Sequence, residues 1–180
     1  MKFAYADPPY FGCGKLYADR HPDALAWDKP ETHQALIDRL SAEFDGWALS
    51  TGSVQLRTIL PMCPDNCHIG AWVKPFCNFK PNVGFAYAWE PVIFRGGRKI
   101  TRDQDSVRDW VSANITLKRG LVGAKPRDFC LWLFQCLNIF PTDEFVDLFP
   151  GSNAVGAAWA EWCDDQSRLP QLPLMAAATN

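Results

Sequence analysis

The sequence predicts an α/β fold, a mostly parallel sheet with helices on both faces. Three observations support this. Short apolar runs alternate with helical patterns along most of the chain. No apolar run reaches the 18 residues of a membrane span. At 180 residues, 48% hydrophobic and 13% aromatic, the chain suits a single globular core.

"KFAYA" (2–6) reads as the first buried strand. Residues 11–30 are rich in Gly, Pro and charge and read as a loop. Thr32 to Phe44 carries Leu36, Ile37, Leu40 and Phe44 at helical spacing. "DG" at 45–46 stops that helix, and "WALST" (47–51) follows as a buried strand. Residues 53–60 read as a short helix capped by Ser53. "HIGAWVK" (68–74) and "AYAWEPVIFRG" (86–96) are strands, and Pro91 places the second at a sheet edge or bulge. Residues 97–123 are polar and show no period. Lys125 to Phe140 reads as a helix with Pro126 in its first turn. "EFVDLF" (144–149) is a strand, and 151–162 begins a helix from a glycine. Residues 164–180, Pro-rich then Ala-rich, read as a flexible tail to a domain of 1–163. No repeat is visible.

A net charge of −2 argues against a protein held to nucleic acid by overall positive charge, though it leaves room for a local basic patch. The amino terminus lacks the apolar stretch and cleavage site of a signal peptide, so the expected location is the cytoplasm, with no membrane partner. Seven cysteines, an odd number, are then expected to be mostly reduced.

Two stretches carry chemistry. The first strand ends in Asp7, Pro8, Pro9 and Tyr10. Each proline fixes φ and removes an N–H, so the loop is stiff and rich in acceptors. A carboxylate, free carbonyls and a ring face suit a planar base with an exocyclic amino group. The Asp7 carboxylate and the Pro8 carbonyl can take the two amino hydrogens and favour the pyramidal nitrogen that forms as it attacks. The same residues also make a good turn. The second stretch, "DLFPGSNAVG", follows a strand and opens a helix. Gly151 lets the backbone approach a ligand, Ser152 caps the helix or donates, and the helix amino terminus offers N–H groups to a carboxylate. Phe149 suits packing on a purine. The stretch is neither G-x-G-x-x-G nor a phosphate-binding P-loop, which disfavours dinucleotide enzymes and nucleotide triphosphatases.

Together, "DPPY" near the amino terminus and "DLFPGS" near the carboxyl terminus resemble the amino-methyltransferases that use S-adenosylmethionine. The order, catalytic motif first and cofactor motif last, resembles the permuted beta class of DNA methyltransferases. "AKP" (124–126), "WVKP" (72–75) and "WEPVIF" (89–94) resemble further segments of that family. The resemblance spans roughly residues 2–160. It implies a minimal, circularly permuted, Rossmann-like methyltransferase fold. It implies that Asp7, Pro8, Pro9 and Tyr10 hold the target amine, and that Asp147, Phe149, Gly151, Ser152 and Asn153 hold the cofactor, with Lys125, Pro126 and Asp7 beside it. The expected reaction is methylation of adenine N6 in DNA. Cytosine N4, RNA, or a non-catalytic binding module are the alternatives, and a homodimer is possible. Asn153 stands where the family has glycine, and Asn tolerates positive φ. The family's ribose-holding acid has no clear counterpart; Glu161, Asp164 and Asp165 are the candidates.

Other clusters stand beside these. Arg95, Arg98, Lys99 and Arg102, with Lys118 and Arg119 further on, form a basic loop that either contacts nucleic acid or is simply solvated. Trp27 stacks on a target base or packs in the core. Trp72, Trp89 and Trp132 read as core. Cys63, Cys67, His68 and Cys77 lack a familiar zinc spacing and read as packed thiols, with no metal.

Overall fold

The computed structural model describes residues 1–18, 23–76, 82, 84–116 and 124–168. Its six strands are β1 (Lys2–Ala6), β2 (Gly46–Ser50), β3 (His68–Val73), β4 (Trp89–Gly96), β5 (Trp110–Ser112) and β6 (Glu144–Asp147). Its helices are α1 (Pro30–Glu43), α2 (Leu56–Ile59), α3 (Arg127–Leu137) and α4 (Ala154–Arg168). The strands form one sheet in the order β5-β3-β4-β2-β1-β6. All pairings are parallel except those of β4, which runs against both of its neighbours.

Period-2 alternation sorts the core onto two faces. Ala4, Ala6, Trp47, Leu49 and Ile93 pack under Leu36, Ile37, Leu40 and Phe44 of the α1 region. Phe3, Tyr5, Ala48, Val92 and Phe94 pack under Phe129, Trp132, Leu133, Phe134 and Leu137 of α3, joined by Val155 and Ala158 of α4. Covered on both faces, β1 and β2 read as nearly continuous apolar runs.

Several expectations need correcting. Pro91 is internal, since β4 lies between β3 and β2. The Pro91 carbonyl accepts the Thr51 N–H at 3.1 Å, so its imide nitrogen faces β2 where the β2 ladder has just ended. The reciprocal bond from residue 91 to the Thr51 carbonyl is the one proline cannot donate, so the loss is confined to a single bond at the end of the β2 ladder. Ser53 caps nothing: α2 begins at Leu56 after Gln55, with no side-chain cap. The α3 helix stops at Leu137 rather than Phe140, because Asn138 turns left-handed at φ 50°. The polar 97–123 segment contains β5, too short to show a period. The α4 helix continues to Arg168, into the segment read as a tail.

Candidate active site

β1 lies between β2 and β6, and all three run in the same direction. The chain leaves β1 through α1, which packs on one face, and leaves β6 through α4, which packs on the other. This is a topological switch point, where a crevice opens beyond the carboxyl ends of the strands. Tyr5 is in register with Asp147, and the Leu148 N–H donates to the Tyr5 carbonyl at 2.9 Å. The Asp7 loop and the Gly151 turn therefore leave the sheet side by side.

Beneath the Asp7 loop lies a buried ion network. The Lys125 ammonium, 6% exposed, reaches Asp7 Oδ2 at 3.1 Å and Glu90 Oε1 at 2.5 Å. Glu90 Oε2 accepts from Lys74 at 2.8 Å. The Trp72 ring lies 4.4 Å from Lys74 Nζ and 5.3 Å from Lys125 Nζ. Its indole N–H donates to the Ala113 carbonyl at 2.8 Å, which fixes the ring. Tyr10 donates its hydroxyl to Asp7 Oδ1 at 3.3 Å. Its ring packs so close to Gly52 that a Cβ there would stand 3.2 Å from Tyr10 Cδ2 and 2.2 Å from Gln55 Oε1. Gln55 in turn donates to the Phe11 carbonyl at 3.2 Å.

The charges are unevenly shared. Burial pushes Glu90 up, but the Lys125 and Lys74 ammoniums outweigh burial and hold its carboxyl at about 2. Burial, reinforced by the Glu90 charge, outweighs the Lys125 ammonium and the Tyr10 hydroxyl beside it and leaves the Asp7 carboxyl raised. Burial alone would lower Lys125, yet Asp7 and Glu90 hold it well above the usual lysine range. Asp7 is thus the more basic carboxylate of the network and also the more exposed, at 25% against 9% for Glu90. With four lone-pair sites, it retains acceptor capacity beside Tyr10 and Lys125.

On the β6 side, Asp147 Oδ1 accepts the Phe149 N–H at 3.1 Å. Burial, countered by that bond and reinforced by Asp7, raises the Asp147 carboxyl to about 6. Gly151 has φ +46°, and a Cβ there would meet only the Phe149 carbonyl, at 3.8 Å. Asn153 adopts φ 56°, the left-handed geometry expected of it. It precedes the first residue of α4, and its Oδ1 lies over Gly156, where a Cβ would come within 2.3 Å. Asn153, not Ser152, therefore stands at the capping position, while Ser152 is exposed on the turn.

A row of rings joins the two loops. Phe11, just past the Asp7 motif, lies 6.2 Å from the His33 ring. His33 lies 5.2 Å from Trp27, and Trp27 lies 5.1 Å from Phe149, all edge to face. The Nε2 atom of His33 is 2.9 Å from the Trp27 carbonyl. Trp27 thus belongs to the Phe149 side of the crevice, not to the ring face of Tyr10.

Asp7, Tyr10 and Lys125 are thus linked by ion pair and hydrogen bond at the end of β1, with Pro8, Pro9 and Pro126 beside them in sequence, and Asp147, Phe149, Gly151, Ser152 and Asn153 lie on the turn that leaves the adjacent strand β6. The basic loop does not join them. Trp47, near the start of β2, pairs with Arg95, and the Arg98 N–H donates to the Leu137 carbonyl at the far end of α3. The Arg98 guanidinium binds Asp143 at 2.8 Å, the same carboxylate that takes the amino-terminal ammonium. Arg95, Arg98, Lys99 and Arg102 therefore sit at the opposite pole, because β4 runs antiparallel and carries its carboxyl end away from the crevice. Lys118, Arg119 and Cys77 lie outside the described residues. Glu161 and Asp165 pair with Arg127, at 2.8 and 3.7 Å. Cys63 donates to the Ile59 carbonyl at 3.5 Å. Trp72 and Trp132 are core, whereas Trp89 is 41% exposed.

Lys74, Glu90, Gln55 and His33 were not among the predicted site residues. Lys74 and Glu90 stood in plain view, in "WVKP" and "WEPVIF", but one sequence does not reveal that both meet Lys125.

No family model matches the chain, and no curated protein does. Solved structures do. M1.HpyAVI in complex with SAM aligns with TM-score 0.60 at 12% identity, over 91% of this chain and 78% of that one. A further M1.HpyAVI structure gives 0.53 at 14%, over 89% and 76%. TTHA0409 of Thermus thermophilus, a candidate DNA modification methylase, gives 0.53 at 14%, over 90% and 77%. Likeness at such identity is one of fold, and it agrees with the Rossmann-like methyltransferase fold expected from the sequence. Among the described residues, no helix is long and apolar enough to cross a membrane.

Proposed function

We propose that this chain transfers a methyl group from S-adenosylmethionine to the exocyclic amine of a nucleobase, with adenine N6 in DNA as the leading target. One observation carries the proposal: the Asp7 loop and the Gly151 turn leave adjacent parallel strands and open on one crevice, with Tyr5 and Asp147 in register. The solved structures of similar fold, one with SAM bound and one a candidate DNA methylase, support it.

The residues fit such a cofactor. The unfilled space at Gly151 admits a ligand against the backbone, the half-buried Asp147 carboxylate suits hydroxyl or ammonium donors, and Phe149 offers a ring. When bound, S-adenosylmethionine supplies an electrophilic methyl on a sulfonium that leaves as a neutral thioether. Asp7 and the Pro8 carbonyl accept the two amine hydrogens and direct the nitrogen lone pair. Lys125 and Glu90 hold the Asp7 carboxylate in place, and the raised basicity of Asp7 suits it to take the proton the methylated amine must lose. Pro8 and Pro9 keep these acceptors rigid.

The test is transfer of labelled methyl groups to oligonucleotides with adenine or cytosine as the only amino-bearing target. Asp7→Ala is expected to lower kcat by roughly 10²–10³, as for loss of one preorganised transition-state partner. Undiminished transfer by that variant would end the assignment of Asp7. One observation favours a second reading, a non-catalytic nucleic-acid or protein binding module. Glu161 and Asp165 are engaged with Arg127, so neither stands ready as the family's ribose-holding acid.

A further inference from the structure

The strand β4 enters the sheet from a row of exposed aromatic rings. Phe85, Tyr87 and Trp89 are 87%, 52% and 41% exposed, while the alternating Ala86 and Ala88 are half-buried. The row is anchored: the Lys74 N–H donates to the Ala88 carbonyl at 2.7 Å, and the Ala88 N–H to the Ala86 carbonyl at 2.9 Å. Trp89 pairs with Val73 at the end of β3, and Phe76, 52% exposed, follows three residues later. The row ends at Glu90, inside the ion network beneath Asp7. Four large rings in water beside a candidate active site need an occupant.

We propose that Phe76, Phe85, Tyr87 and Trp89 form a stacking platform for unpaired bases, so that the substrate is single-stranded nucleic acid or an unpaired stretch of it. The inference rests on the methyl-transfer reading and names its substrate class. In a duplex the base faces are stacked on each other and unavailable to rings; in an unpaired strand they are free. The row runs into Glu90, which shares Lys125 with Asp7, so a strand stacked on these rings passes beside the Asp7 loop. Such a substrate also spares the enzyme the unstacking needed to extrude a base from a helix.

The experiment is fluorescence anisotropy of a labelled oligonucleotide of about 12 nucleotides, within the ~4–16 nucleotide footprints of single-strand binders. Three forms are offered without cofactor: unpaired DNA, unpaired RNA, and the DNA annealed to its complement. Either unpaired form is expected to bind more tightly than the duplex, and the sugar preferred identifies the source. Phe85→Ala and Tyr87→Ala each remove a ring more than half exposed, so the fold should persist. Each is expected to weaken unpaired-strand binding by roughly 5- to 150-fold, with binding of S-adenosylhomocysteine unchanged. Preference for the duplex, or variants that bind like the parent, overturns the platform. So does a self-associated parent that Tyr87→Ala converts to monomer without any strand binding. Platform binding without methyl transfer sinks the catalytic reading alone, while transfer to duplex that is indifferent to both variants sinks the platform alone.

Discussion

At the scale of single residues, the site turns on how one lysine is divided between two carboxylates. A buried ion pair adds little net stability, but breaking one leaves a buried charge uncompensated, at a cost of about 3–5 kcal/mol. Lys125→Met should therefore destabilise the fold by about that amount in urea titration. Glu90 gives a pH signature. Its folded carboxyl titrates at about 2 against 4.5 ordinarily, so its contribution is complete above 4.5 and is lost as pH falls toward 2. The shift corresponds to about 3 kcal/mol. Asp143, also held at about 2, titrates in the same window through the amino terminus and Arg98. Glu90→Gln should remove part of the acid sensitivity and leave the Asp143 share. An unchanged acid profile would show that Glu90 is not held as described. Asp147 behaves oppositely. Its carboxyl is raised to about 6, so a ligand that needs the ionised form should bind more tightly as pH rises through 6. Calorimetry with S-adenosylhomocysteine should show that dependence, and Asp147→Asn should flatten it.

At the scale of elements, the strands were legible because both faces of the inner sheet are buried, which turns β1 and β2 into apolar runs bounded by loop signals. What the sequence hid has physical causes. β5 is three residues long and cannot display a period. Pro91 looked like an edge residue, yet it is internal, because the one bond its missing N–H forfeits falls opposite Thr51, where the β2 ladder ends. The α3 stop depends on Asn138 in left-handed geometry, with no glycine to announce it. The α4 start shows the same economy. Asn153 is both the positive-φ residue of the turn and the residue at the capping position. Alanine there meets the left-handed penalty, about 1–2 kcal/mol, or roughly 2–8 °C in Tm at this size. Glycine keeps the φ and costs a few tenths of that. Calorimetric melting of Asn153→Ala and Asn153→Gly separates the two roles; equal Tm values would mean that the backbone angle contributes nothing.

At the scale of the whole molecule, the reading depends on a chain whose ends meet in the middle of its own sheet. β1 comes first and β6 nearly last, yet they are neighbours, so the Asp7 and Asp147 motifs leave the sheet side by side although they stand 140 positions apart. The sequence suggested the meeting through the order of motifs. It did not reveal which pole β4 would carry its arginines to, because polarity is set by strand direction and not by composition. This arrangement predicts a linkage effect. A ligand held by the β6 turn and roofed by the Asp7 loop binds only when β1 and β6 are paired, and so stabilises the fold as a unit. At 100 times its Kd, S-adenosylhomocysteine should add about 2.7 kcal/mol, or roughly 5–10 °C in Tm for a chain of this length. Asp147→Asn should shrink the shift, while Tyr87→Ala, outside the cofactor side, should preserve it. If the Tm does not move at millimolar ligand while unpaired oligonucleotide still binds, the crevice is a nucleic-acid grip without a methyl donor, and the non-catalytic reading takes the place of the enzyme.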